Sequence, residues 1–441
     1  MAVEPEQGGN GHVATPPSAE MRDRIRVRLS RLAEIGPDPR GGVTRLAYTE
    51  EERAAHQLFA EFVAEDGKEC AVDAAGNSIA TYRDGVPYFL AGSHLDTVVQ
   101  GGAYDGAAGV ISALEAAREV AEATEHGVRV VAFAGEEGAR FGRPNLGSAL
   151  AAGLLEPEAL GRLTDADDIT LAEAAEALGF PGPATDAWLG SEILCFIELH
   201  IEQGRQLESR AARIGLVDAI AGSVRLRFEF RGRSDHSGAT PMSMRSDALV
   251  AASELVLDAE RIGRQYRSTV ATVGKVEVQP NNVTTVPGVA RVWLDVRDVD
   301  ADHQRLAARS IFERARAIGE ERGITIAGEV ISDQPPVVLD AWPRAIAHQE
   351  CAARGLPYRV LSSGAGHDAA IVARRAPATM LFVPCVEGIS HSPAELASVD
   401  DIAAATDIIA AMVRRGDRLA TGGGFRRRPR RASAHLPDPA P

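Results

Sequence analysis

The sequence predicts an α/β protein. A mixed, mostly parallel sheet lies between helices, and a smaller β-α-β-β-α-β domain is inserted into the chain that forms it. Two observations carry this. Four short apolar runs, residues 87–93, 128–134, 193–199 and 378–383, read as buried strands, and each leads into residue types that bind metal. A segment of different character, about residues 222–333, alternates strand and helix patterns in the order of a split βαβ unit.

The elements follow in chain order. Residues 21–32 and 50–65 have helical periodicity, the second with Thr49 as N-cap before the acidic turn Glu50-Glu51-Glu52. Residues 69–82 read as a hairpin around Ala75-Gly76-Asn77. The strand 87–93 ends at His94; Asp96 lies two residues on, so both side chains leave on the same side. A glycine-rich loop brings in Asp105, and residues 106–123 form a small-residue helix against the sheet. Strand 128–134 ends at Gly135-Glu136-Glu137-Gly138, and residues 154–183 read as helical, punctuated by turns. Strand 193–199 runs into His200, and strand 378–383 precedes Ile389-Ser390-His391-Ser392-Pro393. Ligands of open α/β sheets bind outside the carboxyl ends of the strands. Four strands with such ends therefore point to one site. The inserted unit comprises strand 224–231, helix 245–266, strands 268–278 and 289–296, helix 302–322 and strand 324–332.

The chain thus divides into residues 1–20, expected to be disordered; 21–221, the first part of the larger, catalytic domain; 222–333, inserted; 334–416, its second part; and 417–441, a disordered basic tail. That tail carries Gly422-Gly423-Gly424 and then Arg426, Arg427, Arg428, Arg430 and Arg431. It reads as a solvated linker and tail, or as a segment that meets anionic surfaces.

Composition sets outer limits. The 441 residues suffice for two domains, and 45% hydrophobic with 25% charged residues is the balance of a soluble globular protein. A net charge of −15 gives the body no reason to bind nucleic acid. No apolar run approaches the roughly 20 residues of a membrane span, and the N-terminus has no signal-peptide core. Cys70, Cys195, Cys351 and Cys385 form no C-x-x-C pair; reduced thiols in a cytoplasm are the simplest reading.

The candidate metal ligands are His94, Asp105, Glu137, His200 and His391, a nitrogen and oxygen set without thiolates that suits zinc, manganese, cobalt or nickel. Five protein ligands exceed a closed tetrahedral site by one. If Asp105 bridges, two metals share them, and such a pair polarises a carbonyl and lowers the pKa of water. Glu136 can then face the water as general base. Alone, Glu136-Glu137 would read as a solvated acidic turn; the strand-end pattern argues against that.

Gly-Ser-His-Leu-Asp-Thr, Tyr-Asp-Gly, Glu-Glu-Gly-Ala-Arg-Phe, Glu-Leu-His-Ile-Glu-Gln-Gly, Asp-His-Ser-Gly-Ala-Thr-Pro-Met and Ile-Ser-His-Ser-Pro together resemble the metal-dependent amidohydrolases of the aminoacylase/carboxypeptidase superfamily. The closest likeness is to the carbamoylase branch, with N-carbamoyl-L-amino-acid hydrolase, β-ureidopropionase and allantoate amidohydrolase. The resemblance spans about residues 21–415, and its specific parts are residues 198–204 and 238–242.

The resemblance implies two divalent metals per subunit, with Asp105 bridging and His94, His200, Glu137 and His391 completing the set. It makes Glu136 the base and places Asp96 behind His94. It implies that His236 binds the carbonyl oxygen as charge develops, that Gln203 lines the site, and that Arg297 grips the substrate carboxylate. Gly366 and His367 match a glycine-rich substrate loop, with His367 behind the ligands rather than among them. It further implies that the inserted domain is a lid that dimerises, with His236 reaching the partner's site. Plainer readings stand beside these: Arg297, between Asp295 and Asp298, as a structural ion pair, and His236 as merely exposed. His12, His56, His126, His303, His348 and His435 have no matching context and read as surface residues.

One position departs from the family pattern. Thr284 stands where an Asn is usual before Pro287-Gly288, with Asn282 two residues earlier on what reads as the same strand face. A hydroxyl cannot replace both the donor and the acceptor of an amide, so the departure bears on the substrate more than on the chemistry. The expected activity is hydrolysis of the carbamoyl C–N bond of N-carbamoyl-L-amino acids or related ureido acids, releasing ammonia, carbon dioxide and the amine. The alternatives are an allantoate amidohydrolase or an aminoacylase or dipeptidase of the same superfamily. A catalytically dead binding protein on this fold would lack Glu136 or a ligand, and none is missing.

Overall fold

Strands that are apolar along their whole length need cover on both faces. The computed structural model describes residues 17–180 and 187–422. In it Tyr88–His94, Ile193–Ile201 and Ala378–Val383 are buried throughout and lie at the centre of a nine-stranded sheet. Its order is Glu69–Val72, Ser78–Arg83, Gly127–Phe133, Tyr88–His94, Ile193–Ile201, Ala378–Val383, Ile214–Ile220 and Val337–Val338, with Tyr358–Ser363 also pairing to Ile214–Ile220. From Gly127–Phe133 to Ala378–Val383 the neighbours run parallel. Antiparallel strands flank them.

Alternation sorts the side chains to two cores. Phe89, Ala91, Val130 and Leu199 face the helices Ala19–Ala33, Glu50–Glu65, Ala107–Val120, Ala341–Ala353 and Val399–Thr421. Tyr88, Leu90, Val131 and Phe382 face the other side, with the short helix Asp368–Val372. At about 25 cal/mol per Å², each fully buried Phe or Leu contributes roughly 2 kcal/mol.

The inserted segment forms a separate four-stranded antiparallel sheet, ordered Thr325–Gln334, Gly222–Arg231, Val289–Asp298, Val270–Gln279. Val224, Leu226, Phe228 and Phe230, with Ala290, Val292, Leu294 and Val296, pack under the helices Ala248–Gly263 and Ala301–Arg322. The chain leaves the large sheet after Ile214–Ile220 and returns through Val337–Val338, which pairs with it. Departure and return are therefore adjacent.

Several expectations are corrected. Residues 154–180, the described part of the segment expected to be helical to residue 183, hold two short helices, Pro157–Leu160 and Leu171–Ala177. Asp165 accepts from the backbone of Asp167 and Ile169 and turns the chain between them, and Thr170 starts the second helix with a capping box. The first helix begins at Ala19, capped by Ser18, inside the segment expected to be disordered. The last helix runs to Thr421, past the expected limit at residue 416. The expected disorder of residues 1–16 and the arginines of residues 423–441 lie outside the described residues. No helix among the described residues is long and apolar enough to cross a membrane.

Candidate active site

Parallel neighbours bring their carboxyl ends to one edge, and there the candidate ligands meet. Asp105 is the hub. Its Oδ1 lies 3.0 Å from His200 Nε2 and 3.5 Å from His94 Nε2. Its Oδ2 lies 3.4 Å from His391 Nε2, which is 3.3 Å from Glu137 Oε2. Two triads result, His94-Asp105-His200 and Asp105-Glu137-His391, each with ligand atoms within 4.8 Å of one another. They share Asp105.

The imidazoles are set up as Nε2 donors of electrons. His94 Nδ1 sits 3.1 Å from the Asp96 carbonyl and 3.3 Å from its Oδ1, and His200 Nδ1 sits 2.9 Å from the Ile201 carbonyl. These carbonyls accept from Nδ1–H and so leave Nε2 as the nitrogen turned to Asp105. Burial disfavours charge on His94, but Asp105 and Asp96 outweigh it and hold its pKa well above 6.5. Asp105 and Glu137 push His391 up to about 10. Burial alone would raise Asp105; the charge of His200 and its hydrogen-bonding neighbours bring it well below 3.8. A pocket that so favours positive charge, and in which Glu137 Oε1 is buried without a hydrogen-bond partner, fits cations held by these five residues.

Glu136 belongs to neither triad. The two successive glutamates are aimed by their backbone: Asp96 Oδ1 accepts from Glu136 N at 2.8 Å and Asp96 Oδ2 from Glu137 N at 3.0 Å. Buried Glu52 accepts from Gly135 N at 2.7 Å. Glu137 therefore reaches His391, while Glu136 Oε2 stops 4.0 Å from His94 Nε2. Burial, with Glu137 and Asp368 adding to it against His94, raises Glu136 well above 4.5. It is a carboxylate ready to hold a proton beside the ligand cluster.

The loop carrying Asp105 is fixed from behind. Glu395 Oε1 accepts from Tyr104 N at 2.9 Å and Asp105 N at 3.0 Å. Ser390 Oγ lies 3.0 Å from both Asp105 Oδ2 and Glu395 Oε2. A Cβ at Gly102 would fall 2.1 Å from the Glu395 carboxyl, so only glycine lets the loop lie there. Gln203, at φ 57°, donates to Asp105 Oδ2 at 2.7 Å. His367 is buried, its Nε2 2.7 Å from Ser363 Oγ and its ring 4.5 Å from that of His200; burial and the His200 charge keep it neutral. Gly366 faces Asn145.

Arg297 extends from the inserted sheet to this loop. Its Nε and Nη2 bond Asp295 Oδ2 at 3.0 and 2.8 Å, and its Nη1 donates to the Gly364 carbonyl at 2.8 Å. Asp295 occupies one edge of the guanidinium; the end edge retains N–H groups. His236 is exposed, and its Nδ1 accepts from Gly238 N and Ala239 N, which places the proton on Nε2. Among the described residues no hydrogen bond or ion pair joins His236, Asn282 or Thr284 to the ligand cluster. Asn282 and Thr284 lie in a turn, not on a strand, so the shared-face expectation does not hold; Asn282 Oδ1 accepts from Thr284 N and lies 3.1 Å from its Oγ1.

Sequence reasoning missed Glu52, Asn145, Asp368, Ser390 and Glu395. Ser390 lies inside the motif of residues 389–393 and was findable there; Glu395 lies two residues past its end. Asn145 carries no local signal. His56, expected at the surface, is buried, with Nδ1 2.9 Å from Ser78 Oγ.

Residues 90–415 match the model of peptidase family M20/M25/M40. N-carbamoyl-L-amino acid amidohydrolase of Geobacillus stearothermophilus is 38% identical over 88% of this chain and 96% of its own length. Allantoate amidohydrolase of Escherichia coli (strain K12) is also 38% identical, over 89% of this chain and 97% of its own. The crystal structure of a hydantoinase/carbamoylase family amidase from Burkholderia multivorans superposes with a TM-score of 0.82 at 34% identity, covering 90% of this chain and 98% of that one.

Proposed function

Since the chain belongs to peptidase family M20/M25/M40, we propose that it is a metal-dependent amidohydrolase that cleaves the carbamoyl C–N bond of N-carbamoyl-L-amino acids or related ureido acids. It is a hydrolase of non-peptide C–N bonds, like the relatives it matches over almost their whole length. The observation that carries the reading is the position of Glu136, beside two triads that share Asp105 but part of neither.

His94, Asp105 and His200 would hold one divalent ion, and Asp105, Glu137 and His391 a second; zinc, manganese, cobalt or nickel suits such ligands. When bound, they supply a Lewis acid for the carbonyl oxygen and a lower pKa for water. Glu136 takes the proton of the attacking water at Oε2 and delivers it to the leaving nitrogen. The C–N bond breaks, the amine departs, and the carbamate decomposes to ammonia and carbon dioxide. The Nε2–H of His236 suits a carbonyl oxygen on which charge develops. The end edge of Arg297 suits the substrate carboxylate, with Asp295 keeping the fork in plane. Gln203, Gly366 and His367 border this space, with Asn282 and Thr284 on the inserted domain.

We read the assembly as a homodimer through the inserted domain, since His236 makes no described contact with its own cluster. Four unpaired cysteines support a reducing, cytoplasmic compartment.

Allantoate is the second reading, because the relative of that name is as similar as the carbamoyl amino acid hydrolase. Ammonia release is to be measured with N-carbamoyl-L-amino acids, 3-ureidopropionate and allantoate, and amine release with N-acetyl amino acids. Turnover of a ureido acid, lost on chelation and restored by divalent metal, is expected. His200→Ala should lower both metal content and rate. Turnover confined to N-acyl substrates, or full activity in metal-free enzyme, would overturn the reading.

A further inference from the structure

Glu136 needs one oxygen anchored if the other is to meet water and then nitrogen in a fixed place. The anchor is visible. Asn145 Nδ2 donates to Glu136 Oε1 at 2.8 Å, and its second N–H points to Asp368 Oδ1 at 3.3 Å. Asp368 is buried and held in turn by Ser148 Oγ at 2.5 Å. The amide nitrogen thus sits between two carboxyl groups and donates to both. Glu136 is left with Oε2 toward His94 Nε2, at 4.0 Å.

The backbone around Asn145 serves the same end. Asn145 N donates to the Glu136 carbonyl at 2.7 Å, so main chain and side chain of one residue hold both ends of the glutamate. Asn145 adopts φ 59° and ψ 41°, the left-handed region, which asparagine and glycine tolerate and most residues do not. Asn145 itself is buried and begins the helix Leu146–Ala151, whose Ser148 reaches Asp368. Asparagine meets both demands of the position: a left-handed backbone and a neutral double donor. Aspartate would meet the first and put a third carboxylate between the other two.

We propose that Asn145 is the positioning residue of the reaction: it fixes the rotamer of Glu136 so that Oε2 faces the ligand cluster. The inference rests on the assignment of Glu136 as general base. It requires no contact between Asn145 and substrate or metal.

The test is a double-mutant cycle on the metal-loaded enzyme. Asn145→Gly preserves the left-handed backbone and deletes the donor. Asn145→Asp preserves size and backbone and replaces the donor with a charge. Each is combined with Glu136→Gln, and kcat, KM, metal content and melting temperature are measured. Misplacement of a reacting group by about 1 Å costs on the order of 10²-fold. We expect Asn145→Gly to lower kcat by about tenfold to 10²-fold, with KM and metal content within about twofold of wild type. Asn145→Asp should lose at least as much. Added to Glu136→Gln, either change should cost almost nothing more, because an anchor acts only through what it anchors. The inference is overturned if kcat is unaffected, if the loss follows metal loss or a rise in KM, or if it recurs undiminished in the Glu136→Gln background. Should Glu136→Gln alone retain wild-type kcat, the base assignment itself is wrong, and the positioning role falls with it.

Discussion

His56 shows what a single side chain contributes away from the chemistry. Burial lowers its pKa from 6.5 to about 4, Asp96 opposing and Arg45 adding to the shift. Its Nε2 has no hydrogen-bond partner. The folded protein therefore keeps His56 neutral, while the unfolded chain takes up a proton below about pH 6.5. Between that value and about 4 the unfolded state binds more protons, so stability falls as pH falls. The contribution is complete above the unfolded value. From about pH 7 to about pH 4.5 this residue should remove about 2 kcal/mol. His56→Gln keeps a partner for Ser78 and does not titrate. Urea unfolding of both proteins at the two pH values should show a smaller loss in the variant; equal losses would refute the account. At this scale, the residues proposed as ligands and base were legible because their types are unusual at strand ends. His56, Asn145 and Asp368 were not, because their roles come from what lies across space, 22 residues away for the His56–Ser78 contact and 223 for Asn145–Asp368.

The loop from strand Tyr88–His94 to helix Ala107–Val120 carries Asp105, shared by the two candidate triads, and an element's precision depends on what braces it. Glu395 binds two successive backbone N–H groups of that loop, and Gly102 leaves room for its carboxyl. Partners behind the ligands commonly carry 10- to 100-fold in metal affinity. Gly102→Ala and Glu395→Ala should each weaken metal binding by roughly that factor, seen by titration against a competing chelator. Unchanged affinity in both would show that Asp105 is held without this brace. Strands with continuous apolar runs were legible as elements, and so was the inserted β-α-β-β-α-β pattern. Ile214–Ile220 and Tyr358–Ser363 were passed over, as was the helix Val399–Thr421, which covers the core beside Ala107–Val120. Residues 154–183 were legible as helix broken by turns, but not how little helix their described part holds: the Asp165 turn is a side-chain-to-backbone competition whose extent periodicity does not register.

At the scale of the molecule, the candidate ligands and Glu136 lie at the carboxyl ends of the large sheet's strands and in the loops that follow them, whereas His236 lies on the inserted domain, exposed and without a described contact to that cluster. Its Nδ1 is satisfied by two backbone N–H groups, so its free Nε2–H is available to something beyond its own loop. A two-fold dimer makes any such exchange reciprocal. His236→Ala and Glu136→Gln should each be inactive alone. When differently tagged chains are unfolded and refolded together, about half the dimers are mixed. In each mixed dimer, the chain with intact Glu136 receives an intact His236 from its partner, and the other site carries both defects. One working site in half of the dimers restores about a quarter of wild-type activity. If His236 serves its own chain, every site keeps one defect and no activity returns. Isolated mixed dimers that stay inactive would therefore defeat the shared site while leaving the metal cluster and Glu136 untouched.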